Sequence, residues 1–162
     1  MMNDKNYIIA DEIVFEAKPD AVPYNYRISY KIAQLCLIMD MCSRGGCSLL
    51  KLHMISIGLS TKQDMEILKD LAYDRHINYT VVRFDPAVNH AIRFAVADGL
   101  IVQQQNGLYK LNKIGKNYVR NIIKDKQLMK DEKRYLASLS TMLTEEKIKA
   151  LTSLWRYSSA EN

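Results

Sequence analysis

The chain has 162 residues, 48% hydrophobic and 25% charged, with a net charge of +5. That composition excludes a disordered or fibrous chain and suffices for one domain with a sizeable core. Only 6 Gly and 3 Pro argue against a loop-rich all-β fold, and no apolar run approaches the roughly 20 residues a bilayer span needs.

Residues 1–25 form an N-terminal segment. Its opening, MMNDKNYIIADE, is acidic and lacks the basic and apolar regions of a signal peptide, so a soluble cytoplasmic protein is expected. Tyr7 to Phe15 is apolar and partly β-branched, which suits a strand. Pro19 and Pro23 then impose an extended linker over Lys18 to Asn25.

A winged-helix core is expected over residues 26–126. Ile28, Ile32, Leu35, Met39 and Cys42 recur at helical spacing between Arg27 and Ser43, and Leu37, Ile38 and Met41 widen the apolar face. A face that wide belongs to a largely buried helix. Arg44-Gly45-Gly46 ends it. Ser48 can cap a second helix over Leu49 to Ile57, and Ser60 or Thr61 a third with Met65, Leu68 and Leu71 inward. Tyr79 to Phe84 (YTVVRF) reads as β.

The stretch Asp85 to Ile123 reads as helix, hairpin, helix. Asp85 can cap a helix whose first turn holds Pro86 and whose inner positions are Val88, Ile92, Ala95 and Val96; Gly99 stops it. Leu100 to Gln104 and Leu108 to Leu111 are candidate strands. Asn106-Gly107 between them suits a type I′ turn, with positive φ at both residues. Gly115 precedes a helix carrying Val119, Ile122 and Ile123. This order is the back half of a winged helix, with a recognition helix and a wing. Beyond it, residues 127–162 read as a helical hairpin. Tyr135, Leu139 and Met142 recur on one helix, Thr144 caps the other, and Ile148, Leu151, Leu154 and Trp155 form its stripe. The fold class expected is therefore mainly α with a small β-hairpin (α+β).

Cys36, Cys42 and Cys47 fit no common zinc framework, and His53, His76 and His90 are scattered, so free thiols and no metal or other cofactor are expected. Phosphate-loop, dinucleotide-binding, nucleophile-elbow and H-E-x-x-H patterns are all missing. The chain is therefore read as non-enzymatic.

Charge gives the binding candidates. The first 20 residues are acidic, whereas residues 110–134 are rich in Lys and Arg. On the recognition helix Asn89, His90 and Arg93 point outward, but Arg93 is its single permanent cation, and Asp85 and Asp98 flank it. Lys116, Arg120 and Lys124 share one face of the helix after the wing, with Lys110 and Lys113 on the wing's return strand and following turn. Such a row can grip a phosphate backbone without reading sequence. It also suits the solvated side of an amphipathic helix. The stripe ending in Leu151 and Trp155 packs on the core or receives a partner.

The segments NYRISYKIAQLCLIMDM, SLLKLHMISIGL and FDPAVNHAIRFAVADGLI, followed by NGLYKLNKIGKNYV, resemble the small middle-component proteins of bacterial three-component ABC-ATPase systems, including the accessory subunit of Lamassu-type anti-phage defence. The resemblance spans roughly residues 24–123. Asn112-Lys113 departs from the Leu-Thr that commonly precedes the wing's final glycine. The resemblance implies a non-enzymatic adaptor that joins an SMC-like ATPase to an effector, often a nuclease, and meets DNA through that complex. It carries over no catalytic residue. A free-standing winged-helix transcriptional regulator is the alternative reading of the same residues.

Overall fold

Helix α1 (Ile28–Cys42) is the axis of the fold, and every residue from Lys31 to Met39 is buried. The computed structural model describes residues 23–24, 27–75 and 83–158, the last five as helical backbone only. Among the described residues α1 packs against α2 (Leu49–Gly58), α4 (Pro86–Ala97), α5 (Lys113–Lys124), α6 (Lys130–Leu139) and the second strand of a hairpin. Leu35, Leu37 and Ile38 are completely shielded from water, each contributing roughly 1.5–3 kcal/mol by burial. The wide apolar face of the sequence thus becomes a helix covered on all sides.

Caps set the element boundaries. Ser48 Oγ accepts the Lys51 amide at 3.1 Å to open α2, and Thr61 Oγ1 accepts the Asp64 amide at 3.0 Å to open α3 (Lys62–Ala72). Asp85 Oδ1 accepts the Ala87 amide at 2.9 Å to open α4. Thr144 Oγ1 accepts the Lys147 amide at 3.3 Å at the start of α7 (Glu145–Ser158). The molecule is mainly helical, with a single two-stranded antiparallel sheet among the described residues.

That sheet pairs β1 (Ile101–Gln103) with β2 (Tyr109–Leu111), Ile101 opposite Leu111. Cys47, in the α1–α2 connection, exchanges both backbone hydrogen bonds with Tyr109 at 2.8 Å, so β2 is flanked on its other side. The turn differs from the type I′ expectation. The Gly107 amide donates to the Gln104 carbonyl at 2.9 Å, and the Gln104 amide to the Leu108 carbonyl at 2.7 Å. Only Gly107 has positive φ (+81°); Asn106 does not. This is a three-residue loop with a left-handed glycine last, and Asn106 instead accepts the Leu108 amide on its side chain at 3.1 Å.

Gly115 lies inside α5 instead of before it, because Asn112 Oδ1 caps the helix by accepting the Gly115 amide at 2.9 Å. A Cβ at Gly115 would stand 2.0 Å from the Leu100 carbonyl oxygen, so backbone meets backbone where α5 crosses the start of the hairpin.

The C-terminal hairpin shares the core. Leu136, Leu139, Leu143 and Ile148 are buried with the α1 residues in one cluster. Tyr135 donates to the Met65 carbonyl at 3.2 Å, Tyr73 to the Ser138 carbonyl at 2.7 Å, and Tyr30 to the Glu132 carboxylate. Lys147 donates to the Ala72 carbonyl and to Asp74, and Glu145 accepts the Ser48 amide at 2.9 Å. Met142 lies beyond α6 and is exposed, unlike its expected inner position. Leu154 and Trp155 have side chains outside the described residues, as does the expected strand Tyr7 to Phe15. For the segment Tyr79 to Phe84, residues 79–82 lie outside the description, and Arg83 and Phe84 are in no strand. Among the described residues no helix is long and apolar enough to cross a membrane.

Candidate nucleic-acid and partner interface

Helix α5 sorts its residues cleanly. Gly115, Val119 and Ile122 are buried against α1 and the hairpin, while Lys113, Lys116, Arg120 and Lys124 are exposed. At about 100° per residue the four cations fall within about 80° of arc. Lys113 is the first residue of α5, not part of a turn before it, because the Asn112 cap starts the helix there. Lys110 stands exposed on β2, and Lys110 and Lys116 line one cleft of about 230 Å³ beside Asp40. Among the described residues none of the five enters an ion pair, and Arg120 reaches only the Asn117 side chain at 2.9 Å. Lys133, also in the basic block of the sequence, has another task. It is half-buried and donates to the carbonyls of Ile122 and Asp125, closing the C-terminal end of α5.

Helix α4 presents Asn89, His90 and Arg93 to solvent, together with two apolar residues, Phe94 (53% exposed) and Val96 (42% exposed). Val96 thus departs from its expected inward position. The helix buries Val88, Ala91, Ile92 and Ala95, a stripe rotated about 40° from that expectation, with Ala91 inward in place of Val96. Asn89 also has a structural commitment, its Oδ1 lying 3.1 Å from His53 Nε2.

That contact belongs to a buried polar network that motif reading does not disclose. Lys31, 4% exposed, pairs with the Asp85 carboxylate at 3.1 Å and donates to Ser56 Oγ at 3.0 Å and Gln34 Oε1 at 3.4 Å. Ser56 donates to Gln34 at 2.7 Å. The Asp85 amide donates to His53 Nδ1 at 3.2 Å, so His53 carries its proton on Nε2 and donates it to Asn89. Burial, with a smaller contribution from Lys31, pulls the His53 pKa below its usual range against the opposing effects of Asn89 and Asp85. The network joins α1, α2 and the first turn of α4. It also accounts for Asp85, one of the two acids flanking the helix, whose carboxylate is committed to Lys31 and the Ala87 amide. The available signal was Lys31 and Gln34, three apart on the side of α1 that its apolar width had already assigned to the core.

Leu151 is half-buried and packs against the core, so the part of the α7 stripe that is described faces α2. Cys36, Cys42 and Cys47 are free and buried, and burial pushes each thiol up to about 12. Among the described residues no group of three or more His, Cys, Asp or Glu is placed to hold a metal ion. Compared with family models, curated proteins and solved structures, the chain matches none of them.

Proposed function

We propose that this chain is a winged-helix adaptor subunit of an SMC-like ABC-ATPase complex in anti-phage defence, joining the ATPase to an effector and touching DNA backbone through α5. The reading rests on the sequence resemblance, and one structural observation supports its DNA contact. Lys110, Lys113, Lys116, Arg120 and Lys124 form an exposed row with no ion pair among the described residues. Neutralising phosphates with such a row supplies affinity without base readout. Helix α4 is suited to protein contact instead. It carries one permanent outward cation, Arg93, and exposes Phe94 and Val96 beside it. Aromatic and Arg side chains together are the composition of protein interfaces.

The test combines Lys116→Glu, Arg120→Glu and Lys124→Glu in the assembled complex. DNA affinity is expected to fall, and the slope of log affinity against log salt to shrink by about one for each phosphate that is no longer neutralised. An unchanged slope makes the row a solvated surface. If the isolated chain is instead a stable dimer that binds one duplex sequence at physiological salt, it is a transcriptional regulator and the adaptor reading is wrong.

A further inference from the structure

A second cleft, of about 600 Å³, opens between the hairpin tip and the first turn of α7. Its size is that of small-ligand sites. None of the α5 cations lines it.

Lys51 lines this cleft while only 3% exposed. Among the described residues its ammonium has neither a hydrogen bond nor an ion pair, although its backbone amide serves the Ser48 cap. Its position is doubly unfavourable. A desolvated ammonium without a partner is costly, and a cation in the first turn of a helix opposes the helix dipole. Neither burial nor capping accounts for a lysine there.

The acids nearby do not close the gap. Glu145 accepts the Ser48 amide through Oε1 at 2.9 Å, and Glu146 is exposed on the rim, its carboxyl held low by its own amide and the Thr144 hydroxyl and, to a smaller extent, by the charges of Lys149 and Lys51. Neither approaches Lys51 within ion-pair distance. Gln104 also lines the cleft, and its Oε1 is buried without a hydrogen-bond partner. Gly46 packs tightly there, since a Cβ on it would lie 2.6 Å from that oxygen. Arg44 is exposed at the mouth. Lys51 and Gln104, each with a buried polar group that has no hydrogen bond among the described residues, therefore line the same cleft.

We propose that this cleft binds a small molecule through an anionic group, a carboxylate or a phosphate, seated on Lys51, with a hydrogen-bond donor of the same molecule meeting Gln104. The two carboxylates at the rim favour a ligand that brings a single anionic group over a polyanion. The inference stands apart from the adaptor reading and survives its failure.

The experiment follows heat unfolding of the full chain in chloride, acetate and inorganic phosphate at equal ionic strength. A saturable rise in Tm of about 3 °C above chloride is expected with at least one of the two anions, and which one does so separates carboxylate from phosphate. Lys51→Met is expected to remove that rise. It is also expected to melt no lower than the parent in chloride, because an apolar side chain of similar length relieves an unpaired buried charge. Three results overturn the proposal: no rise in the parent with either anion, a rise that persists in Lys51→Met, or a Lys51→Met chain that melts lower than the parent or does not fold.

Discussion

Lys31 and Lys51 are both almost sealed from water, at 4% and 3% exposure, yet their surroundings differ in kind. Around Lys31 the helices supply a carboxylate, a hydroxyl and an amide oxygen, all at hydrogen-bond or ion-pair distance. Around Lys51 they supply a cleft. The difference teaches that burial of a charge is not one phenomenon. At the α1–α2–α4 junction the charge is saturated from within and fixes how three helices meet. Between the hairpin and α7 it is left for something outside the chain.

The comparison can be broken most sharply at Asp85. Asp85→Ala strands the Lys31 ammonium and removes the α4 cap, and is expected to cost about 3 kcal/mol or more in urea unfolding. That contrasts with the neutral or stabilising outcome expected for Lys51→Met. A loss below about 1 kcal/mol would show that water replaces the carboxylate and that the two lysines are alike after all.

A smaller effect follows from His53. Its folded-state pKa is lowered, first by burial, so the folded chain stays unprotonated where the unfolded chain takes up a proton. Stability should then be level above about pH 6.5 and fall as pH drops toward 5, by at most about 1.4 kcal/mol per pH unit. Chemical denaturation across that window checks it, with His53→Gln expected to flatten the slope. An unaltered slope in that variant assigns the acid sensitivity elsewhere.

Asn89→Ala is the mildest change. It removes the acceptor of the His53 proton at an exposed position and is expected to cost about 1 kcal/mol. Because Asn89 also stands on the outward face of α4, binding of the proposed ATPase partner by this variant sharpens the division of labour. Weakened binding at unchanged stability would make Asn89 a contact residue first and a brace second.

The helices and the hairpin were legible because their signals are local. Ser48, Thr61, Asp85 and Thr144 announce helix starts within three residues of themselves, and the apolar spacing of α1 already implied burial. The turn differs because Asn-Gly suits more than one loop, and the hydrogen bonds across it, not the dipeptide, select the three-residue form. Gly115 moves into α5 because the Asn112 cap competes with the usual meaning of glycine as a boundary. The outward row on α5 was readable from i, i+4 spacing alone. The two lysine environments were not, since each is assembled from separate segments. Lys31, Ser56 and Asp85 come from different elements, as do Lys51, Gln104 and Glu145. One sequence does not state such distances in space.

The three buried thiols have a practical consequence. With each pushed up to about 12, a cysteine of the folded chain is thiolate at neutral pH far less often than one in water, by a factor on the order of a thousand. Cys36 and Cys42 sit on α1, and Cys47 bridges the hairpin. Alkylation must therefore wait for the centre of the molecule to open, and mass spectrometry of the labelled chain becomes a clock for that opening. The clock needs no engineered probe, and its rate with and without acetate or phosphate reports whether a ligand holds the core shut.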